Sequence, residues 1–523
     1  MEKVNVLKEN GICRISGLRA TMSDGVELVS DVWFPDADDK IKWPVLLQRL
    51  PYGRNVASTP VIPHPSWLAR HGFAVVVQDV RGRGESGGKF EPFLHDADDG
   101  LETIEWAARQ NFADGNVITY GFSYQGLIQL YAAAQRPPSL RGIAPLMCGV
   151  DPYEGWTYES GLRKWEFITY WAAQLAGQEI GVGPIGFDLN SLPLRNSLAK
   201  NVIPWFDEWL DHPKFDNYWK ARTPDISKID VPIFSIAGWF DDFLTPNLRL
   251  INRLHADAVI GPWKHMPWGT RHGDIELGAD SGPTMIADSL ILFCRNILEH
   301  EPKKIESKIR YKIINGAWET TLKWPPDSVS HHWNCSSNGL ANSRHGTGVL
   351  TERSKEEEIF DVLVSEPLFP FPGFATPLSD ESSAEDRRDV CCYTSETLLT
   401  DLTIVGSPIV EIESQADVLT YDIIVSLTSV ISGKSRRVST GCVRYMNSIN
   451  GRANESQIAL TASAFKFLKG SQFRLDISAH RHPQFDRNLQ SNKGGDPDAF
   501  AAEHKVATIF LKKINLTLPI KTH

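Results

Sequence analysis

The sequence predicts an α/β domain that contains an inserted helical segment and is followed by an all-β domain. Residues 20–150 alternate short apolar runs with longer helical patterns, residues 151–225 are rich in aromatic side chains and lack strand signals, and residues beyond 304 form many short alternating strands separated by turn residues. At 523 residues the chain is long enough to form several domains.

The first 150 residues have the pattern of a mostly parallel sheet with crossover helices. The predicted strands are "WPVLLQRL", "FAVVVQDV" and "NVITYGF", and the predicted helices are "HDADDGLETIEWAARQ" and "YQGLIQLYAAAQ". Short continuous apolar runs indicate strands buried on both faces, which is typical of parallel sheets covered by helices.

Strand signals stop near residue 150 and return in "VPIFSIAGWF" and "ADAVIGPWKH". The segment between them therefore interrupts the α/β unit instead of following it. We predict an α/β domain formed by residues 1–150 and 226–304, a helical cap formed by residues 151–225, and a C-terminal β-sandwich of the jelly-roll type formed by residues 305–523.

Composition excludes several classes of partner. With 54 Lys and Arg against 64 Asp and Glu, the net charge is −10 and no block of like charge occurs, so a nucleic-acid partner is not expected. The amino terminus lacks the apolar core of a signal peptide and no run is long enough to span a membrane, so we expect a cytoplasmic protein without a membrane partner. The seven cysteines show no CxxC spacing and are interpreted as buried thiols. No cofactor or metal is expected.

The stretch "AVVVQDVRGRGESGG" places Gly82, Gly84 and Gly87 at GxGxxG spacing after a predicted strand. A dinucleotide-binding fingerprint needs these glycines to open a helix, but Pro92 arrives before any helical pattern. The glycines are better explained by a loop that turns tightly beside a neighbouring site.

The chemistry is indicated by "NVITYGFSYQG", in which a predicted strand runs into Gly121, Ser123 and Gly126 and then into a helix. The combination of strand, GxSxG and helix is typical of a nucleophile elbow, which presents the serine at a sharp turn. Ser123 is therefore the candidate nucleophile.

A serine nucleophile needs a histidine base and a carboxylate that orients the histidine. Asp241 and Asp242 follow the strand in "VPIFSIAGWFDDF", and His265 follows the next strand in "ADAVIGPWKH". In an α/β hydrolase the order along the chain is Ser, then Asp or Glu, then His, so Asp241 and His265 complete a candidate triad. The oxyanion donors are expected to be the Tyr124 amide and a group in the loop "RLPYGRN", where Tyr52 offers a phenol.

With these motifs in place, the chain resembles the cocaine esterase, α-amino-acid ester hydrolase and X-prolyl dipeptidyl aminopeptidase group of serine hydrolases. The resemblance covers nearly the whole chain and rests on "RLPYGR", "QDVRGRGESGGKFEP", "YGFSYQG", "AGWFDDF", "GPWKH", "YTSETLLTDLTIVGSP" and "HPQFDRN". It implies an α/β-hydrolase domain, a helical cap and a jelly roll, with Ser123, Asp241 and His265 as triad and Tyr52 and Tyr124 as oxyanion hole.

The expected activity is cleavage of a small-molecule carboxylic ester through an acyl-enzyme on Ser123. Three alternatives stay open: an acyltransferase or cyclase that uses the same acyl-enzyme, an X-Pro dipeptidyl peptidase, and a carbohydrate-binding scaffold without catalysis. In members of the resembled group that take α-amino acyl substrates, the variable residue of SYxG is often acidic, so the neutral Gln125 departs from the pattern expected for a substrate ammonium group. Glu154 and Glu159 of the cap could still offer charge for one. A homo-oligomer is neither predicted nor excluded.

Overall fold

The structure is a computed structural model that describes residues 5–38, 40–55, 61–179, 181–199, 202–266, 268–272, 275–299, 307–352, 360–373, 378–446, 448, 452–491 and 493–522. Among these residues, eleven strands form one sheet. They are β1 (Asn5–Glu9), β2 (Ile12–Thr21), β3 (Glu27–Pro35), β4 (Trp43–Leu50), β5 (Ala74–Asp79), β6 (Ala113–Phe122), β7 (Leu140–Leu146), β10 (Phe234–Phe240), β11 (Asp257–Lys264), β14 (Ile309–Lys312) and β15 (Trp318–Thr321). Their order across the sheet is β1-β2-β3-β5-β4-β6-β7-β10-β11-β14-β15.

The strands from β5 to β14 in this order are parallel, and the pairs at both ends of the sheet are antiparallel. Successive residues of the central strands alternate between two apolar cores, since Val45 and Leu47 of β4 face one core and Leu46 faces the other. The helices of this unit are α1 (Pro65–Ala69), α2 (Asp96–Ala108), α3 (Tyr124–Ala134), α7 (Leu244–Arg253) and α8 (Pro283–Glu299). Apolar residues of α3 belong to the first core and those of α1 and α8 to the second, so helices cover both faces.

The inserted segment is mainly helical. It contains α4 (Trp165–Glu179), α5 (Pro204–Asp211), α6 (Asn217–Lys220) and a two-stranded sheet of β8 (Tyr158–Glu159) and β9 (Leu162–Arg163). Many of its aromatic side chains are buried, and Trp156, Trp165 and Trp209 are fully buried and continue the first core of the α/β unit. Most of the aromatic richness seen in the sequence is therefore packing.

The C-terminal part is all-β, with twelve strands among its described residues. They are β16 (Ser328–Ser336), β17 (Val349–Glu352), β18 (Asp361–Ser365), β19 (Val390–Ser395), β20 (Leu402–Gly406), β21 (Ile409–Ala416), β22 (Tyr421–Ile431), β23 (Lys434–Tyr445), β24 (Asn454–Ala459), β25 (Ser463–Phe467), β26 (Gln472–Ser478) and β27 (Ala507–Lys521). The long β27 pairs with β16 and β18 and also with β20 and β21, which links the whole domain. Its jelly-roll topology stays a prediction.

The sequence predicts that the β-sandwich begins at residue 305. The junction at residues 304 and 305 lies outside the described residues, but β14 beyond it pairs in parallel with β11 of the first sheet. A short strand has the same alternation in either sheet, so periodicity did not reveal its partner. A small hairpin, β12 (Arg271–His272) and β13 (Ile275–Glu276), lies between β11 and α8. No helix within the described ranges is long and apolar enough to cross a membrane.

Candidate active site

Ser123 lies in the sharp turn between β6, which ends at Phe122, and α3, which begins at Tyr124. Its φ of 61° and ψ of −129° place a non-glycine residue in a region that is costly without support from its surroundings. The Ser123 amide supplies such support by donating to Leu146 O at 3.0 Å. A β-carbon at Gly126 would lie 2.8 Å from Cys148 Cβ and 3.1 Å from Leu146 O, so only glycine allows α3 to approach β7 this closely.

Asp241 and His265 each follow the carboxyl end of a strand, and the two strands, β10 and β11, are parallel neighbours. His265 Nδ1 lies 2.8 Å from Asp241 Oδ1, and His265 Nε2 lies 3.0 Å from Ser123 Oγ. The Asp241 side chain is fully buried, whereas that of His265 is 19% exposed. The structure thus brings the three predicted residues into one hydrogen-bonded row.

Tyr52 lies in the loop after β4, beside this row. The Trp171 indole of α4 donates to Tyr52 Oη at 3.1 Å. Burial raises the pKa of Tyr52 to about 12, while hydrogen bonds with Trp171 and Ser123 oppose the rise, so the phenol stays protonated near neutral pH. Tyr124, the other predicted donor, is the first residue of α3, where a backbone N–H has no partner within the helix.

The side chain of Tyr124 has a separate structural role. Its hydroxyl donates to Asp96 Oδ2 at 2.8 Å, and the ring is buried against Phe93 and Trp171. Burial raises the pKa of the Asp96 carboxyl, and the nearby Arg49 charge opposes that rise. The Tyr124 side chain therefore holds the start of α3 in place. The group of Tyr124 expected to act as an oxyanion donor is its backbone amide.

A cavity of about 360 Å³ reaches Asp241 and His265 and has walls from all three parts of the chain. Glu159 and Phe167 come from the cap, and Arg437 comes from the C-terminal domain. Arg437 could not be identified as a site residue from the sequence, because the neighbouring residues of β23 look like ordinary strand positions.

The cavity wall carries charge of both signs. Burial raises the pKa of both Glu159 and Glu166. Burial also lowers the pKa of Arg437 to about 10, with the Arg481 charge adding to the effect. Glu154 and Glu159, expected in the sequence analysis to offer charge, both line the cavity.

The structure corrects the interpretation of Gln125 as a residue near the substrate. Its side chain is buried in the α/β core, where its Oε1 accepts a hydrogen bond from Gln48 Nε2 at 2.8 Å. It lies among core residues and not among those that line the cavity. The neutral side chain at this position therefore does not indicate whether a substrate carries an ammonium group.

The glycine-rich stretch folds around a buried ion cluster under the Tyr52 loop. Arg54, two residues after Tyr52, donates to Asp31 at 2.9 Å and to Asp79 at 2.6 Å. Gly84 has φ +56°, and a β-carbon there would lie 2.2 Å from Asp79 Oδ2. Gly84 therefore leaves room for the carboxylate that holds the Tyr52 loop, in agreement with the predicted tight turn beside a site.

Comparison with known proteins identifies the class. Residues 24–267 match the family described as X-Pro dipeptidyl-peptidase (S15 family), and residues 303–512 match the X-Pro dipeptidyl-peptidase C-terminal non-catalytic domain. The chain is 29% identical to cocaine esterase of Rhodococcus sp. (strain MB1 Bresler) over 535 aligned residues, with 92% of each chain covered.

Two solved structures share the whole fold. One is an aminopeptidase from the marine sediment archaeon Thaumarchaeota archaeon and the other is an α-amino acid ester hydrolase. Each has a TM-score of 0.82 at 19% identity and covers 99% of this chain and 98% of its own. The fold class predicted from the sequence, an α/β-hydrolase domain followed by an all-β domain, is confirmed.

The fold and these matches define a serine hydrolase. More particularly, the chain carries both domains of X-Pro dipeptidyl-peptidases of the S15 family and is similar to cocaine esterase over 92% of its length. The predicted resemblance and the predicted enzyme class, a hydrolase that acts on esters, are thereby confirmed.

Proposed function

We propose that the protein hydrolyses a small-molecule carboxylic ester through an acyl-enzyme on Ser123. The observation that carries the proposal is the row Asp241, His265 and Ser123, with distances of 2.8 and 3.0 Å, of which Asp241 and His265 line a cavity of about 360 Å³. A pocket of this size can hold a drug-sized or smaller molecule.

Each residue of the row has a defined role in the proposal. Asp241 accepts the Nδ1–H of His265 and so leaves Nε2 as the base. Ser123 Oγ attacks the ester carbonyl as its proton passes to Nε2, and a C–O bond forms to give a tetrahedral anion. His265 then returns the proton to the departing alcohol as the ester bond breaks. Water, deprotonated by the same Nε2, then attacks the acyl carbonyl carbon, and the acid leaves as the bond to Ser123 Oγ breaks and Oγ takes the proton back from His265.

Tyr52 and the Tyr124 amide would stabilise the negative oxygen of the tetrahedral anion. A phenol with a pKa of about 12 carries its proton at neutral pH and can donate it in a hydrogen bond. Donors aimed at the developing charge contribute about 100- to 1000-fold in kcat each.

A second candidate is cleavage of an aminoacyl or X-Pro substrate, because the carboxyl groups of Glu154, Glu159 and Glu166 line the cavity. Initial rates on p-nitrophenyl acetate and on Gly-Pro p-nitroanilide separate the two candidates. Ester cleavage without anilide cleavage supports the esterase, and Ser123-dependent anilide cleavage supports the peptidase. Product analysis with added alcohols or amines tests for acyl transfer.

The test of the mechanism compares Ser123→Ala, Asp241→Asn and Asp242→Asn. Ser123→Ala should abolish turnover and labelling by a fluorophosphonate, and Asp241→Asn should lower kcat about 10⁴-fold. Asp242→Asn is the control, because it removes the same charge at the next residue, which is not part of the hydrogen-bonded row. Its kcat should stay within about tenfold of the wild-type value even if KM changes. A Ser123→Ala variant that is fully active, or equal effects of the two Asp variants, would exclude the proposed triad.

A further inference from the structure

Arg83, from the glycine-rich stretch, connects the Tyr52 loop to the cap. Its side chain is 3% exposed. Its Nε donates to Pro51 O at 2.8 Å, immediately before Tyr52, and its Nη2 donates to Leu175 O of α4 at 3.1 Å. A further contact joins Nη1 to Glu179 at 2.7 Å. One planar guanidinium therefore fixes the spacing between the loop and the last turn of α4.

Trp171 lies one helical turn before Leu175 on the same helix. It is 4% exposed and held by aromatic neighbours, with its ring centroid 5.2 Å from that of Trp156 and 5.1 Å from that of Trp205. Its indole N–H reaches Tyr52 Oη at 3.1 Å. The cap thus contacts the predicted oxyanion donor directly.

The direction of this hydrogen bond is fixed by chemistry. An indole nitrogen can only donate, so Tyr52 Oη accepts from Trp171 and its own hydrogen must point elsewhere. The Ser123 side chain also lowers the pKa of the Tyr52 phenol, so the nucleophile lies close to this hydroxyl. A hydroxyl that accepts one hydrogen bond also becomes a stronger donor in the next.

We propose that Trp171 is a positioning residue that aims the Tyr52 hydroxyl at the oxyanion, and that Arg83 holds α4 at the spacing this requires. The cap is then part of the catalytic apparatus and not only a wall of the substrate cavity. This inference rests on the proposed function, since it takes Tyr52 as an oxyanion donor. It also gives the glycine-rich stretch a chemical role, because Arg83 belongs to that stretch and contacts both the Tyr52 loop and α4.

The first test is a double-mutant cycle on the ester substrate with Trp171→Phe and Tyr52→Phe. Tyr52→Phe should lower kcat about 100-fold, because it removes one oxyanion donor. Trp171→Phe keeps an aromatic ring but removes the N–H, and should lower kcat about 10-fold with KM unchanged. In the Tyr52→Phe background, Trp171→Phe should lower kcat less than about 2-fold, because there is no hydroxyl left to aim.

Trp205→Phe is the matched control, because Trp205 packs against Trp171 in the same aromatic cluster and has no contact with Tyr52 among the described hydrogen bonds. It should retain kcat within about 2-fold. Binding of phenylboronic acid, which forms a tetrahedral anion on serine, should weaken in Trp171→Phe by the same factor as kcat. A structural defect would instead reduce the fraction of enzyme labelled by fluorophosphonate.

Arg83 is tested by Arg83→Lys, with Arg81→Lys as its control in the same loop. Lysine keeps the charge beside Glu179 but cannot reach Pro51 O and Leu175 O together, so kcat should fall about 5-fold or more with KM unchanged. Arg81 pairs with Asp99 and Asp24, and none of its hydrogen bonds within the described part of the chain reaches the cap, so its variant should keep kcat.

The outcomes separate this inference from the proposed function. Wild-type kcat in Tyr52→Phe would show that Tyr52 is not an oxyanion donor and would overturn this inference, whereas the proposed hydrolysis through Ser123 fails only if Ser123→Ala keeps its activity. A loss in Tyr52→Phe combined with wild-type kcat in Trp171→Phe would overturn the inference alone. A further tenfold loss when Trp171→Phe is added to Tyr52→Phe would overturn it as well, because Trp171 would then act independently of the hydroxyl.

Discussion

The cap and the C-terminal domain are joined by a buried ion cluster, and Asp486→Asn should destabilise the protein far more than an equivalent change at the surface. Asp486 is fully buried and accepts from Arg163 Nη1 at 2.9 Å and from Arg444 Nη2 at 3.0 Å. Arg444 also pairs with Asp422 at 2.8 Å. Arg163 belongs to the cap, whereas the other three residues belong to the C-terminal domain.

The magnitude follows from the charges in this cluster. In the wild-type protein two arginines face two carboxylates, and replacing the Asp486 carboxylate by a neutral amide would leave a net positive charge in a site closed to water. Removing the charge of one partner in a buried ion pair in this way lowers the free energy of unfolding by about 3–5 kcal/mol. At a slope of about 3 kcal/mol per molar urea, the first unfolding transition should shift by about 1 to 2 M.

Asp498→Asn is the matched control, since it makes the same chemical change in another contact between the same two parts. Arg195 of the cap donates to Asp498 at 2.8 Å, but the Asp498 side chain is 60% exposed and Arg195 keeps Asp211 as a second partner. An exposed pair of this kind contributes about 1 kcal/mol or less. Its effect should vanish in about 1 M NaCl, whereas that of Asp486→Asn should persist.

The assay is urea unfolding followed by tryptophan fluorescence, which reports on the aromatic cap. Burial raises the pKa of Asp486, but the charges of Arg444 and Arg163 outweigh it and hold the pKa below 3.8. The stabilisation from this carboxylate is therefore fully present above its unfolded pKa and is lost as the pH falls through the lower folded pKa. The difference between wild type and Asp486→Asn should thus be constant from about pH 6 to 8. Equal shifts for Asp486→Asn and Asp498→Asn would refute the reasoning.

Two further predictions concern the elbow and the cap. Gly126→Ala would press a methyl group against Cys148, so it should lower the free energy of unfolding by about 1–3 kcal/mol and also lower kcat. Gly186→Ala is the control, because a methyl group there meets nothing within 4 Å and should change neither quantity. Thermal unfolding measures the first effect and ester kinetics measure the second. Burial raises the pKa of Asp151 from 3.8 to about 6, so the folded state favours its protonated form and stability falls as the pH rises through that window. At about pH 8 the Asp151→Asn variant should therefore be more stable than wild type by up to about 3 kcal/mol, and near pH 4 the two should be equally stable. The same difference in unfolding temperature at both pH values would contradict this prediction.

The spatial arrangement of the triad could be predicted because each member follows the end of a strand in the sequence. Parallel strands end at the same edge of a sheet, so residues directly after β6, β10 and β11 meet there whatever their separation along the chain. The order Ser123, Asp241, His265 then matched one known arrangement. The catalytic roles of these residues stay predictions that the Ser123→Ala and Asp241→Asn experiments address.

Other features could not be read from sequence because they depend on which face of an element a residue occupies. Gln125 stands two residues after Ser123, yet the first turn of α3 directs it into the core, so proximity in sequence misled the substrate argument. Trp171 belongs to a helix so rich in aromatic residues that periodicity indicates packing, and only the contact with Tyr52 distinguishes it from its neighbours.

The cap is held from two sides by buried arginines, and this arrangement connects stability with catalysis. Arg83 ties α4 to the α/β domain, and Arg163 ties β9 to the C-terminal domain. Phe485, next to Asp486, also lines the cavity, so the loop that anchors the cap forms part of the substrate wall. A change at Asp486 should therefore alter KM through the wall, whereas a change at Arg83 should alter kcat through Tyr52. Measuring both constants in the two variants distinguishes a cap that only encloses substrate from one that also orients the oxyanion donor.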